Sequence, residues 1–140
     1  MNWFELRKKY VESISSTIEV DGITYELIDR PPQDNDFNYM RFSNLNSSRH
    51  NDVSSKGREA FMTIQVVTSS KNPGMGRRRS ELVANEATKI IEAADLSTDD
   101  VQYVYETVLD SDGEGSQQWE GSNYVIVKPI TFRHLIQSLN

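Results

Sequence analysis

The residues best suited to chemistry lie in one stretch, Lys71-Asn72-Pro73-Gly74-Met75-Gly76-Arg77-Arg78-Arg79. A Gly-x-Gly followed by cations and a helix could cradle phosphate, because backbone N–H groups at a helix start attract anions. The lysine and hydroxyl that a P-loop requires after its second glycine are missing, so that route to nucleotide binding is excluded. Three consecutive arginines near the positive end of a helix dipole repel each other and oppose the dipole. Helix stability does not account for Arg77, Arg78 and Arg79. They are expected to touch a partner and to be dispensable for folding; a solvated cationic face is the plainer alternative.

A second charged stretch is Asp110-Ser111-Asp112-Gly113-Glu114. Calcium loops of the EF-hand type need D-x-[DN]-x-[DN]-G, and this spacing is absent. The stretch is expected to be a solvated hairpin tip. The two histidines, His50 and His134, do not form a metal site by spacing. There is no cysteine, which removes disulfides, thiolate metal sites and a cysteine nucleophile. No serine sits in a nucleophile context such as G-x-S-x-G. Glu106 and Glu120 could approach across a hairpin, but carboxylates on surface strands are ordinary. No enzymatic activity, cofactor or metal is expected.

The chain has 140 residues, 36% hydrophobic and 26% charged, which suits one globular domain spanning 1–140. No apolar run approaches the roughly 20 residues of a membrane helix. The opening MNWFELRKKY lacks the apolar region of a signal peptide. Its basic amphipathic character could suit a membrane surface, but Glu5 and Glu12 interrupt it, and no membrane partner is expected. The net charge of -6 is uneven: residues 1–79 carry 12 Lys/Arg and 10 Asp/Glu, and residues 80–140 carry 3 and 11. That balance disfavours nonspecific DNA binding over the whole surface. It suits self-association between a basic loop and an acidic neighbour.

Periodicity then supplies the elements that must position these charges. Asn2 to Ser16 reads as a helix with a stripe of Trp3, Phe4, Leu6, Tyr10, Val11 and Ile14. Asp21-Gly22 between alternating residues signals a hairpin that sets Ile18 and Val20 against Ile23 and Tyr25. Phe37 to Phe42 has strand character, and Asn44 to Gly57 reads as a long polar connection that becomes ordered on assembly. Ala60, Met62, Ile64 and Val66 form the inward face of a central strand. Val83, Ala87, Ile90, Ile91 and Ala94 mark the main helix. Val101, Tyr103, Tyr105, Thr107 and Leu109 form one face of a further strand, and Asp110 to Glu120 an acidic loop. The last strand, Asn123 to about Ile136, contains Pro129, which predicts a sheet edge or a bulge. The fold predicted is a single α+β domain, a mainly antiparallel sheet with two helices packed on one face. Its expected core is Phe4, Leu6, Val11, Ile14, Met62, Ile64, Val66, Val83, Ala87, Ile90, Ile91, Tyr103, Tyr105, Ile126 and Phe132.

This order of elements resembles the tail terminator (tail-completion) proteins of long-tailed bacteriophages. The resemblance covers nearly the whole chain. It is carried by FMTIQVVTSSKNPGMGRRRSELVANEATKII, a strand, loop and helix, and by the closing ETVLDSDGEGSQQWEGSNYVIVKPITF. It implies a homohexameric ring at the head-proximal end of the tail tube, in the virion at the tail–neck junction and in the host cytoplasm during assembly. The implied partners are further copies of the chain, the tail tube protein and a head–tail connector or neck protein. DNA would pass through the lumen without specific binding. In such a ring, Arg77, Arg78 and Arg79 are expected to meet Asp110, Asp112 and Glu114 of a neighbour, or the tube. Another neck or head-closure component is the alternative from the same particle. A small nucleic-acid-binding adaptor is the alternative from another class, but it would need more cations and stacking aromatics than Lys71 supplies.

Overall fold

In the computed structural model, residues 2–15, 17–28, 37–49 and 57–139 are described. Helix α1 (Trp3–Ile14) begins at Asn2, whose side chain accepts from the Glu5 amide at 3.1 Å. Strands β1 (Ile18–Val20) and β2 (Ile23–Tyr25) form the expected hairpin, with Ile18 opposite Tyr25 and Val20 opposite Ile23. Asp21 and Gly22 take φ of 53° and 78° at its turn, the positive pair that a type I′ turn requires. There follow β3 (Leu27–Ile28), β4 (Tyr39–Arg49), β5 (Gly57–Ser70), α2 (Pro73–Ala93), β6 (Gln102–Asp112), β7 (Ser116–Glu120) and β8 (Asn123–Ser138). The main sheet runs β3-β4-β5-β8-β6, with β7 continuing beside β8. Among the described residues, only β3 pairs in parallel.

The α+β fold with two helices over one face is therefore present. Met62 and Ile64 on β5 stand opposite Phe132 and Ile130 on β8. All four are buried in one cluster with Leu6, Tyr10 and Ile14 of α1 and Val83, Ala84, Ala87 and Ile91 of α2. The other face of the sheet is largely polar. Thr63 and Thr131 hydroxyls meet there at 2.8 Å, and Arg133 bridges Glu59 and Glu106. Tyr39, Val67 and Val125 form a small apolar cluster at one end.

Several expectations are corrected. The basic stretch is not a loop: α2 already begins at Pro73, so Arg77, Arg78 and Arg79 lie on helix. Asn44 to Arg49 is not a connection but the far half of β4, shifted by a bulge between Phe42 and Asn44 and paired with β5. The rest of that expected connection, residues 50–56, lies outside the described residues. Phe4, Val11, Tyr103 and Tyr105 are exposed rather than core, and Ile90 is half-buried.

For the tyrosines the reason is a register shift between Val104 and Glu106. Before it, Gln102 and Val104 face the helices; after it, Thr107 and Leu109 do. One extra residue reverses which parity points inward.

Asp110 to Glu114 is not a hairpin tip either. Asp110 and Asp112 belong to β6, and the turn of the final hairpin is at Gly121-Ser122. Gly113 to Gly115 merely interrupts the strand beside β8. Pro129 lies in an inner strand, between β5 and the β6–β7 line, and the break in pairing falls opposite it. A proline cannot donate to a ladder, so the neighbour leaves the ladder there. A Cβ on Gly115, at φ 69°, would lie 1.7 Å from the Val127 carbonyl oxygen. Only glycine fits that crossing.

Candidate functional site

Asn72 caps α2. Its side chain accepts from the Gly74 amide at 2.8 Å and the Met75 amide at 3.3 Å, with Pro73 at the first helical positions. Ser70 Oγ donates to the Asn72 carbonyl at 2.7 Å. A Cβ on Gly76 would come 2.7 Å from Ser70 Oγ and 3.4 Å from Ile126 Cδ1. The glycine thus lets the helix start lie directly on the end of the sheet, and no phosphate cradle is needed to explain it.

This seating divides the three arginines. Arg79 is largely covered: Nε donates to Asp21 Oδ2 at 2.9 Å and a terminal nitrogen donates to the Ser69 carbonyl at 3.0 Å. Arg78 donates to both Asp21 oxygens at 3.2 and 3.1 Å. The hydrogen bonds from Arg79, then from Arg78, hold the Asp21 carboxyl below the usual carboxylate range. These two arginines have an acid in their own chain, which joins the β1–β2 hairpin to α2 and β5. Beside the partner contact expected of them, Arg78 and Arg79 thus have contacts within the chain.

Arg77 is different. It is exposed and lines a small cleft of about 40 Å³ with Ser80, Glu81, Glu114, Gln117, Ile126 and Lys128. Arg77 and Glu114 of the expected contact are thus neighbours within one chain. Asp110 and Asp112 lie further along β6, exposed. Among the described residues, Asp110, Asp112, Glu114 and Arg77 make no ion pair. No group of acids and histidines there could hold a metal ion, and no described helix is long and apolar enough to cross a membrane.

Three features escaped the sequence. Asp21 as the arginines' acid left no trace in spacing, since 58 residues separate it from Arg79. Buried Tyr10 and His134 with half-buried Thr107 form a set equally remote in sequence: the Tyr10 hydroxyl bonds His134 Nε2, and Thr107 Oγ1 lies 2.9 Å from Nδ1. Burial lowers the imidazole to about 4 and raises the Tyr10 hydroxyl well above its ordinary value. The third feature, an exposed groove along Phe4, Arg7, Lys8, Val11 and Glu12, did leave a signal. Leu6, Tyr10 and Ile14 form one stripe of α1, while Phe4 and Val11, seven apart, form a second.

Comparison with known proteins adds one finding about this framework. No protein-family model and no curated protein matches the sequence. A chain in the solved structure described as "Virion of native gene transfer agent (GTA) particle" is similar in structure, with a TM-score of 0.63. The match covers 83% of this chain and 80% of that one at 14% identity, so what the two share is the fold.

Proposed function

We propose that this chain is a structural component of a virion, and within it the ring that ends a tail tube and joins it to the neck. The observation that carries the reading is the fold shared with a virion chain over most of both lengths. The order of strand, α2 and closing hairpin that resembles the tail terminators supports the finer role. A homohexamer, with the tail tube protein on one side and a connector or neck protein on the other, is the assembly proposed. DNA would pass through its lumen without specific binding.

Site assignments follow from which charges are uncommitted. Arg78 and Arg79 pair with Asp21, so their first role is within the chain, with Arg78 still 60% exposed and able to add a contact. Arg77, Asp110, Asp112 and Glu114 are exposed and are proposed to meet neighbouring subunits or the tube. The engagement of two of the three arginines with Asp21 also weakens the nucleic-acid adaptor reading.

The test is deletion of the reading frame from its parent particle, followed by electron microscopy. Tubes of uncontrolled length that fail to join heads are expected. Tails of normal length attached to filled heads would overturn the reading.

A further inference from the structure

Five of the eight large hydrophobic side chains exposed among the described residues fall in two patches: Phe4 and Val11 on α1, and Tyr103, Tyr105 and Leu139 at one end of the sheet. Exposed apolar groups gathered in this way mark contact surfaces. The two patches carry opposite charge.

On α1, Phe4 is 71% exposed, and Arg7, Lys8 and Val11 follow it along one side of the helix. Arg7 leans over the Phe42 ring, its guanidinium carbon 5.9 Å from the centroid. Neither Arg7 nor Lys8 makes an ion pair among the described residues. The acid that lines this groove, Glu12, is 3.9 Å from Lys9. The stripe is therefore apolar and cationic.

On the sheet, the rings of Tyr103 and Tyr105 stack with centroids 6.1 Å apart. Tyr103 stands opposite Gln137, and the Leu139 amide donates to the Val101 carbonyl at 3.0 Å, which keeps Leu139 beside the start of the same strand. Asp99 and Asp100, both exposed, lie in the turn that leads into it. Residues 90–127 carry nine acids and no Lys or Arg, and Arg133 on β8 is held between Glu59 and Glu106. This platform is aromatic and anionic. Outward backbone groups of β6 are already used: the amides of Gln102, Val104 and Leu109 donate to the Thr98 carbonyl, Ser97 Oγ and the Glu92 carboxylate. A contact here is made by side chains, not by an added strand.

Neither patch suits a copy of itself. Stripe against stripe sets Arg7 and Lys8 against the same cations, and platform against platform sets Asp99 and Asp100 against the same acids. Like charges across an interface are costly. Stripe against platform joins apolar centres and opposite charges, and a cation over a tyrosine face adds to the attraction.

We infer that the α1 stripe of one copy docks on the tyrosine platform of a second copy, with Phe4 against Tyr103 and Tyr105 and Lys8 towards Asp99 and Asp100. Two unlike patches make the contact heterologous, the kind from which rings are built. This deepens the ring reading by naming a subunit contact, and rests on that reading only for the number of copies.

The chain has no cysteine, so introduced thiols report unambiguously. A size-tagged Glu12→Cys chain is mixed with a Gln137→Cys chain, both full length and both altered at exposed positions, and a short bismaleimide is added. The mixed product is expected to exceed either same-site dimer about tenfold. Phe4→Ala, which should leave melting unchanged because the ring is exposed, should remove that excess. Lys8→Glu in the tagged chain or Asp99→Lys in the other should each lower the yield about tenfold, and the two together should restore it. No excess of the mixed product, or an excess that survives Phe4→Ala, overturns the docking. A reversed pair that fails to recover overturns the charge matching. Sedimentation with phosphatidylglycerol vesicles that depends on Phe4, without a mixed product, assigns the stripe to an anionic lipid surface and overturns the inference. Six copies by light scattering without the mixed product defeat this inference but leave the ring reading standing. A mixed product whose largest species is a closed pair does the reverse.

Discussion

Arg79 Nε donates to Asp21 Oδ2 at 2.9 Å, joining the second turn of α2 to a hairpin turn 58 residues earlier. The same guanidinium reaches the Ser69 carbonyl. Asp21→Asn should therefore release the β1–β2 hairpin without unfolding the sheet. Amide exchange over residues 18–25 is expected to accelerate while β5 stays protected. Arg79→Lys should behave similarly, because a lysine cannot hold two acceptors in the guanidinium's fixed fork. The contribution has a definite pH sense. Asp21 is lowered on folding, so its stabilisation is present above the ordinary carboxylate range and fades as pH falls through the lowered value.

His134 adds an acid sensitivity of the same sense in a higher pH window. Buried between Tyr10 and Thr107, it falls to about 4 from an ordinary 6.5. The unfolded chain then binds more protons between these values, so stability drops as pH falls from 6.5 towards 4. The loss can reach about 3 kcal/mol. Denaturant titrations at pH 7 and pH 4.5 would measure it. His134→Gln, less stable at pH 7, should show a smaller difference between the two; an unchanged difference would place the acid sensitivity elsewhere.

Two glycines with positive φ should respond differently to alanine. At Gly22 a Cβ meets nothing within 4 Å, and the expected cost is the backbone term alone, about 1–2 kcal/mol. At Gly115 the same Cβ would overlap the Val127 carbonyl, so β7 must separate from β8. Gly115→Ala is expected to cost more than Gly22→Ala in thermal melts and to expose β7 amides to exchange.

Adjacent isoleucines on α2 separate depth of burial from side-chain type. Ile91 is fully buried, and Ile91→Ala should cost about 2–5 kcal/mol. Ile90 is half-buried at the margin of the same cluster, and its replacement by alanine should cost clearly less. Equal losses in denaturant titrations would contradict the orientation of the helix.

Local pattern carried much of this fold. The Asp21-Gly22 turn, the inward face of β5 and the apolar face of α2 were all legible, because each depends on residues within one or two turns of each other. What was not legible depended on distant pairing. NLNSSR has no strand pattern of its own and becomes strand by lying against Arg58 to Thr63. Tyr103 and Tyr105 read as core until the bulge reversed the parity of β6. Pro129 read as a sheet edge or a bulge in its own strand; it lies instead in an inner strand paired with β5 without a shift, and the break falls in the neighbouring strand. Of the candidate site, the chemistry-bearing residues were visible and their partners were not: Asp21 met two of the arginines, and Glu114 turned up beside the third within the same chain.

The ladder between β5 and β8 holds fourteen consecutive partners, Gly57 to Ser70 against Gln137 to Tyr124, without a shift. The two other long ladders are each interrupted by bulges. A force applied along these two strands in opposite directions loads all of their hydrogen bonds together, whereas a force applied across them at one end opens the bonds singly. The domain should therefore be mechanically anisotropic. It should resist tension along its central strands best and give way first where the bulged outer strands are peeled from them.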